Sequence, residues 1–276
     1  MELAQPDFDF LRRLVLADSA IVLDPGKEYL VKSRLLPVLR SERFQSFSDL
    51  VRRISAGDVA LRERVVDEMT TNETSFFRDH HPWESLRGTI LPELIEARRS
   101  TKRLTLWCAA TSSGQEPYSL AMLLIDEFPE VAREWAVRII GTDFSPTMVH
   151  RAASGRYDQM EVNRGLPATL LTRYFTRVGA EWQIVDQVRR MVEFRRGNLV
   201  DPASWLRIPM VDGAMMRNVL IYFDPQTRVD ILGRVSTKLS RDGFLMLGST
   251  ETAVGMDDTY ERIRVGRSVI FRPQST

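Results

Sequence analysis

The 276-residue sequence holds a single cysteine, Cys108. That excludes an internal disulfide framework and a zinc site built on cysteine thiolates. Histidine is nearly as scarce: His80, His81 and His150 are too few for a histidine metal cage, and no metal is expected. A surplus of one charge is also missing. Lys and Arg total 38 against 37 Asp and Glu, a formal net charge of +1, whereas a nucleic-acid coat carries a strong positive excess. No apolar run approaches the ~20 residues that cross a bilayer, so direct membrane insertion is not expected. The first nine residues carry Glu2, Asp7 and Asp9 and no apolar stretch, unlike a signal peptide. What is present is 43% hydrophobic residues, enough for a sizeable core. At roughly 100–200 residues per domain, the length suggests two domains. These features together predict a soluble protein of a reducing, cytoplasmic compartment.

The first ~75 residues carry helical periodicity. Apolar positions recur at Phe8, Leu11, Leu14 and Val15, then at Tyr29, Leu30, Leu35, Leu36 and Leu39. Two further sets follow at Phe47, Leu50, Val51 and Ile54, and at Leu61, Val65, Val66 and Met69. Between residues 31 and 64 eight cations face four acids. That is either an ordinary solvated helix face or a docking patch for an acidic macromolecule. Beyond residue 80 the pattern changes. A helix over 80–99, bent or split at Pro92, precedes strands at 103–108, 137–142, 191–195, 213–216, 243–247 and 268–272, with helices between most of them. Such alternation predicts a mostly parallel sheet covered on both faces, with the last strand antiparallel. The runs 174–178 and 181–185, separated by Gly179 and Ala180, predict an inserted β-hairpin.

Four segments carry candidate chemistry. The first strand exits into Ala-Ala-Thr-Ser-Ser-Gly-Gln-Glu-Pro-Tyr-Ser over 109–119. Open α/β sheets bind ligands at that edge, and small residues admit a close approach of backbone to ligand. The segment is neither G-x-G-x-x-G nor a P-loop, and packing alone could also explain it. Asp143 closes the second strand, where an acid either accepts both hydroxyls of a ribose or caps the following helix. Residues 70–79, Thr-Thr-Asn-Glu-Thr-Ser-Phe-Phe-Arg-Asp, join the two domains. They read as a capped linker, in which Thr74 or Ser75 caps a helix, or as functional. Arg217 and Asn218 stand at a strand's carboxyl end, followed by Tyr222 and a possible cap at Asp224.

Taken together, these segments resemble the bacterial chemotaxis receptor glutamate methyltransferases, the CheR family. The matching residues are Thr-Thr-Asn-Glu-Thr-x-Phe-Phe-Arg (70–78), Ala-Ala-x-Ser-x-Gly-x-Glu-Pro-Tyr-Ser (109–119), Gly-Thr-Asp (141–143), Asn-Leu (198–199) and Arg-Asn-Val-Leu-Ile-Tyr-Phe (217–223), in family order. The resemblance spans residues 8–272. It implies an α/β fold: a Rossmann-like class I methyltransferase domain at 79–276 that uses S-adenosylmethionine, preceded by an all-helical docking domain with linker at 1–78. A small antiparallel β-subdomain would be inserted at about 157–190. The implied reaction is SAM-dependent protein-glutamate O-methylation of chemoreceptors for sensory adaptation, with S-adenosylhomocysteine as product. Carried over by position, Asn72, Thr74, Arg78, Glu116, Asp143, Asn198, Leu199, Arg217 and Asn218 would surround the cofactor, Asp143 holding its ribose. Arg78 and Tyr222 would orient the acceptor carboxylate. The partner implied is the cytoplasmic helical bundle of a receptor. Some family members clamp a receptor tail peptide with the β-subdomain and have a longer loop there, so tethering through a C-terminal peptide is not expected. Val211-Asp212, Met216 and Gln115 depart from the family's frequent Phe-Asp, Cys and Glu, and none removes a group with an obvious chemical role.

Overall fold

The computed structural model describes residues 1–253 and 258–274. By contact the chain divides into two compact units, residues 1–71 with 222–227, and the remainder.

In the first unit the four periodic stretches become α1 (Gln5–Ser19), α2 (Glu28–Ser41), α3 (Phe47–Ser55) and α4 (Val59–Glu68). Two starts are set by side chains. Ser46 Oγ accepts from the N–H of Asp49 at 3.1 Å, and the Asp58 carboxylate accepts from that of Leu61 at 3.0 Å, satisfying donors that the first turn leaves open. Phe8, Leu11, Val15, Val31, Leu35, Leu39, Leu50 and Val65 are fully buried. Arg34 on α2 donates to the carbonyls of Met69 (2.6 Å) and Thr70 (2.8 Å), closing the open carbonyl end of α4. The basic stretch is more neutral than its count suggests. Arg52 pairs with Asp49, Arg53 with Asp58, Arg62 with Asp18 and Arg64 with Glu42. Lys32, Arg40 and Arg43 have no ion-pair partner among the described residues.

The second unit opens with α5 (His81–Ser85), a π-helical turn (Leu86–Ile90) and α6 (Leu91–Arg98). The expected bend at Pro92 is realised as this π turn just before it: proline lacks the N–H that would continue the ladder. Among the described residues ten strands follow: β1 (Arg103–Ala109), β2 (Ala136–Asp143), β3 (Arg156–Tyr157), β4 (Phe175–Val178), β5 (Glu181–Ile184), β6 (Val192–Arg196), β7 (Val211–Met216), β8 (Leu239–Leu247), β9 (Tyr260–Val265) and β10 (Ser268–Pro273). Seven of them form one sheet in the order β6-β2-β1-β7-β8-β10-β9. β6 through β8 are parallel, and β10 is antiparallel to both neighbours. The order reverses between β1 and β7, the switch point at which open α/β sheets bind ligands. The inserted sheet is three-stranded, β3-β5-β4, with Gly179 at a φ of 63° in the two-residue turn between β4 and β5. Neither β9 nor β3 was expected.

At the opposite end of the main sheet, Arg98 at the end of α6 binds Asp212 of β7 (2.7 Å) and Asp242 of β8 (2.6 Å). Asp212 also accepts from the N–H of Thr105 in β1 at 2.8 Å. Arg98 is 17% exposed and Asp212 14%, so removing the cation leaves a partly buried acid without its counter-charge. The hydrogen bond from Arg98 also holds the Asp242 carboxyl below the usual carboxylate range. We expect Arg98→Ala to lower stability by ~2–3 kcal/mol in urea unfolding. A depressed pKa contributes stability that is present above the unfolded value and lost as pH falls through the folded one. The deficit should therefore be full at pH 7 and shrink below pH 4; a deficit unchanged at low pH would show that lost packing, not charge, was responsible.

Candidate functional site

One row of residues crosses the main sheet: Arg195, Thr142, Ala109, Met216 and Leu247 are paired in register. The chain that leaves each strand just beyond this row builds a single edge. Asn198 and Leu199 follow β6, Asp143 ends β2, residues 110–114 follow β1, and Arg217 and Asn218 follow β7. Sequence-distant candidates are thereby brought together, and residues 72–79 join them.

The turn after β1 is left-handed at Ala110 (φ 54°), Ser112 (φ 49°) and Gly114 (φ 92°). At Gly114 a side chain would be strained and its Cβ would meet Ala152 Cβ at 2.9 Å. Asp143 accepts from the N–H of Ser112 (2.7 Å) and of Ser145 (2.9 Å), so its carboxylate pins the turn beside it. The helix-cap alternative for Asp143 is not what forms. Ser145 caps the helix Pro146–Ser154, accepting from the N–H of Met148 at 3.0 Å. Ser112 Oγ donates to the carbonyl of Asn72 at 2.8 Å, joining the linker segment to the turn. Asn198 accepts from the N–H of Val200 at 3.1 Å, and the carbonyl of Leu199 from Trp205 Nε1 at 3.0 Å. Thr74 is half-buried.

The second half of the site is a strained turn. Phe77, Asp79 and His80 all have positive φ, at 48°, 65° and 40°. Backbone held this way costs on the order of 1–3 kcal/mol per residue and persists only where its surroundings enforce it. No side-chain cap forms at α5, so the reading of Thr74 or Ser75 as a helix cap is set aside. What holds the turn is a set of contacts from other elements. Phe76 is fully buried and stacks edge-on against Tyr157 (5.0 Å) and Phe175 (5.6 Å) of the inserted sheet. The N–H of Phe77 donates to Ser119 Oγ at 3.1 Å, and Trp83 Nε1 donates to the carbonyl of Arg78 at 3.0 Å. Arg217, its side chain 1% exposed, donates to the same carbonyl (2.9 Å), to Asp79 (2.8 Å) and to Glu116 (2.8 Å). Burial pushes the Glu116 carboxyl above its ordinary pKa, and the Arg217 charge works against that rise. Arg78 itself donates to the carbonyl of Glu73 at 3.0 Å and lines a cavity of about 900 Å³ together with Gly248, Glu251 and Arg267.

At the exit of β7, Asn218 is left-handed (φ 59°), and its Oδ1 is buried with no hydrogen-bond partner among the described residues. Its N–H donates to Glu251 at 2.7 Å. Sequence reasoning missed Glu251. The available signal was its place in Gly-Ser-Thr-Glu (248–251), just beyond a strand's carboxyl end. Tyr222 groups by contact with the helical unit, where its carbonyl accepts from the N–H of Val22 at 3.0 Å. Asp224 does cap, accepting from the N–H of Thr227 at 3.0 Å.

Residues 6–70 match the family described as CheR methyltransferase, all-alpha domain, and residues 72–269 match CheR methyltransferase, SAM binding domain. The chain belongs to the CheR family. Relatives include chemotaxis protein methyltransferase 1 of Pseudomonas aeruginosa, 41% identical over 99% of both chains. A chemotaxis protein methyltransferase of Vibrio parahaemolyticus is 37% identical over 94% of both. The cofactor of this CheR protein is therefore S-adenosylmethionine, and the reaction class is methyl transfer. The residues at the sheet edge fit it. An acid stands at the end of β2 beside a turn of small side chains, and Asn218 Oδ1 is a buried acceptor with no hydrogen-bond partner among the described residues. When bound, the cofactor supplies an electrophilic methyl on a cationic sulfur. Among the described residues, no helix is long and apolar enough to cross a membrane.

Proposed function

We propose that this CheR protein esterifies glutamate side chains on the cytoplasmic helical bundle of methyl-accepting chemoreceptors, acting in the cytoplasm during sensory adaptation. The observation that carries the reading is Arg78, a guanidinium on a turn whose backbone is fixed by Trp83 and Arg217, at the wall of a cavity that could admit an acidic side chain. A glutamate with an ordinary pKa of ~4.3 is already ionised at neutral pH, so the acceptor needs no general base. Carboxylate and sulfonium charges neutralise each other as the bond forms. A site poor in water favours that step, provided the carboxylate is held in line. Arg78 grips the carboxylate and Tyr222 helps to orient it. Asp143 receives the ribose hydroxyls, and Asn72, Thr74, Glu116, Asn198, Leu199, Arg217 and Asn218 complete the cofactor's surroundings. Residues from 79 onward form the catalytic domain, and 1–78 the docking domain with its linker.

The test is incubation with methyl-labelled SAM and receptor cytoplasmic fragments. Label released as methanol by mild base identifies a glutamyl ester; base-stable label, or SAM binding with no transfer, refutes the reading. Docking is assigned to the helical unit's unpaired cations. We expect the triple reversal Lys32→Glu, Arg40→Glu and Arg43→Glu to raise the receptor KM about tenfold, more at low salt, with S-adenosylhomocysteine affinity unchanged. Equal loss of both would argue against docking. The two-residue turn at Gly179 and Ala180 supports recognition of the receptor body without a tail-peptide clamp. Removing the receptor's C-terminal tail is then expected to leave the KM unchanged.

A further inference from the structure

We infer that Glu251 is a positioning residue for cofactor binding: its carboxylate sets the backbone that aims Asn218 at S-adenosylmethionine. The inference rests on the proposed reading of Asn218 as a cofactor contact. One oxygen of Glu251 accepts from the N–H of Asn218 (2.7 Å) and of Gly248 (2.8 Å), and the other from the N–H of Ile221 (3.3 Å). A single side chain thus ties together the chain leaving β7 and the chain leaving β8. Backbone N–H groups at strand exits have lost their ladder partners, and a carboxylate is the strongest acceptor a protein can offer them. Asn218 is left-handed, a conformation asparagine tolerates better than other non-glycine residues, and the bond to Glu251 holds it there. Its buried Oδ1 has no partner among the described residues. An unpaired buried acceptor is costly and points to a ligand donor that completes it.

Gly248 makes the same case from the other side. A Cβ there would lie 2.6 Å from the Glu251 carboxylate, 2.9 Å from the Asn218 nitrogen and 3.0 Å from Asn218 Nδ2. The closest approach is therefore possible only for glycine, and Gly248→Ala should dislodge Glu251 without deleting a polar group. Glu251 does not need to touch the cofactor; its effect passes through Asn218.

The experiment is calorimetric titration of S-adenosylhomocysteine into the full chain and its variants. Glu251→Ala is expected to weaken binding about tenfold or more, from loss of charge-assisted hydrogen bonds. Glu251→Gln can keep one accepting oxygen and should lose only about three- to fivefold. Gly248→Ala should resemble Glu251→Ala. The double variant should be no more than about twofold worse than Glu251→Ala alone, because the two changes break one contact. In Glu251→Ala the amide proton of Asn218 should move upfield in NMR spectra. The Trp107 indole, bonded to Thr142 Oγ1 at 2.9 Å, should stay in place as a marker of intact folding. If Asn218→Ala weakens binding while Glu251→Ala and Gly248→Ala stay within twofold of the parent, the inference is overturned and the reading of Asn218 survives. If Asn218→Ala binds normally, both fall. Should Glu251→Ala not fold, Glu251→Gln and Gly248→Ala decide by the same threshold.

Discussion

Arg78→Ala is expected to lower the methylation rate at saturating receptor and SAM by about 10²–10³-fold, while the protein folds normally. Positioning of reacting groups contributes on this scale, because a bound carboxylate that is free to rotate rarely meets the methyl in line. Folding should survive because the contacts that fix the turn use the backbone of Arg78 and the side chain of its neighbour. Trp83 and Arg217 both bind the Arg78 carbonyl, and Arg217 also binds Asp79. Arg78→Lys should recover little, since an ammonium presents a point charge where the guanidinium offers a two-pronged grip. Single-turnover methylation of receptor fragments, read beside a thermal melt, checks this. A variant that melts like the parent and methylates within fivefold of it would remove Arg78 from the acceptor site.

Arg217→Met should instead strike stability. Its guanidinium is 1% exposed and faces Glu116, 13% exposed, and Asp79. Removing the cation leaves a buried acid unpaired, a loss of about 3–5 kcal/mol, or a fall in melting temperature on the order of 10 °C for a chain of this size. The pH dependence separates this cause from lost packing. Burial already places the Glu116 pKa above its unfolded value, and without Arg217 it should rise further. A raised carboxylate pKa contributes stability that is present below the unfolded value and lost as pH rises through the folded one. The deficit should thus be largest near pH 8 and narrow towards pH 5. Pairing the change with Glu116→Gln should restore part of the stability at pH 8. Denaturant melts across that range check both points, and a pH-independent deficit that Glu116→Gln does not relieve would rule out the unpaired charge.

The fold was largely legible in the sequence because its parts bury apolar residues with clear period. The four helices, the parallel strands and the hairpin at Gly179 all follow from that. β9 (Tyr260–Val265) was not legible: it is an edge strand, and Glu261, Arg262 and Arg264 leave it too charged to stand out from a loop. The π turn at Leu86–Ile90 has no local signature beyond Pro92 after it. At the site, the pattern singled out Asp143 and the 70–79 segment as candidates, and resemblance supplied the cofactor and the roles proposed for Asp143 and Arg78. Glu251 stayed hidden for a physical reason. Its partners are backbone N–H groups, which every residue except proline carries. The positive φ of Phe77, Asp79 and His80 was equally invisible, because contacts from distant elements impose it; Asp and His tolerate it, but Phe does not favour it.

Cys108 is fully enclosed at the centre of the main sheet, and burial pushes its thiol pKa well up. A thiol in that state is inert to maleimides. One new cysteine on the exposed stretch 178–181 would therefore be the sole reactive handle in the folded protein, ready for a dye with no prior removal of the native residue. Fluorescence from that dye would report directly whether a receptor tail ever touches the small sheet.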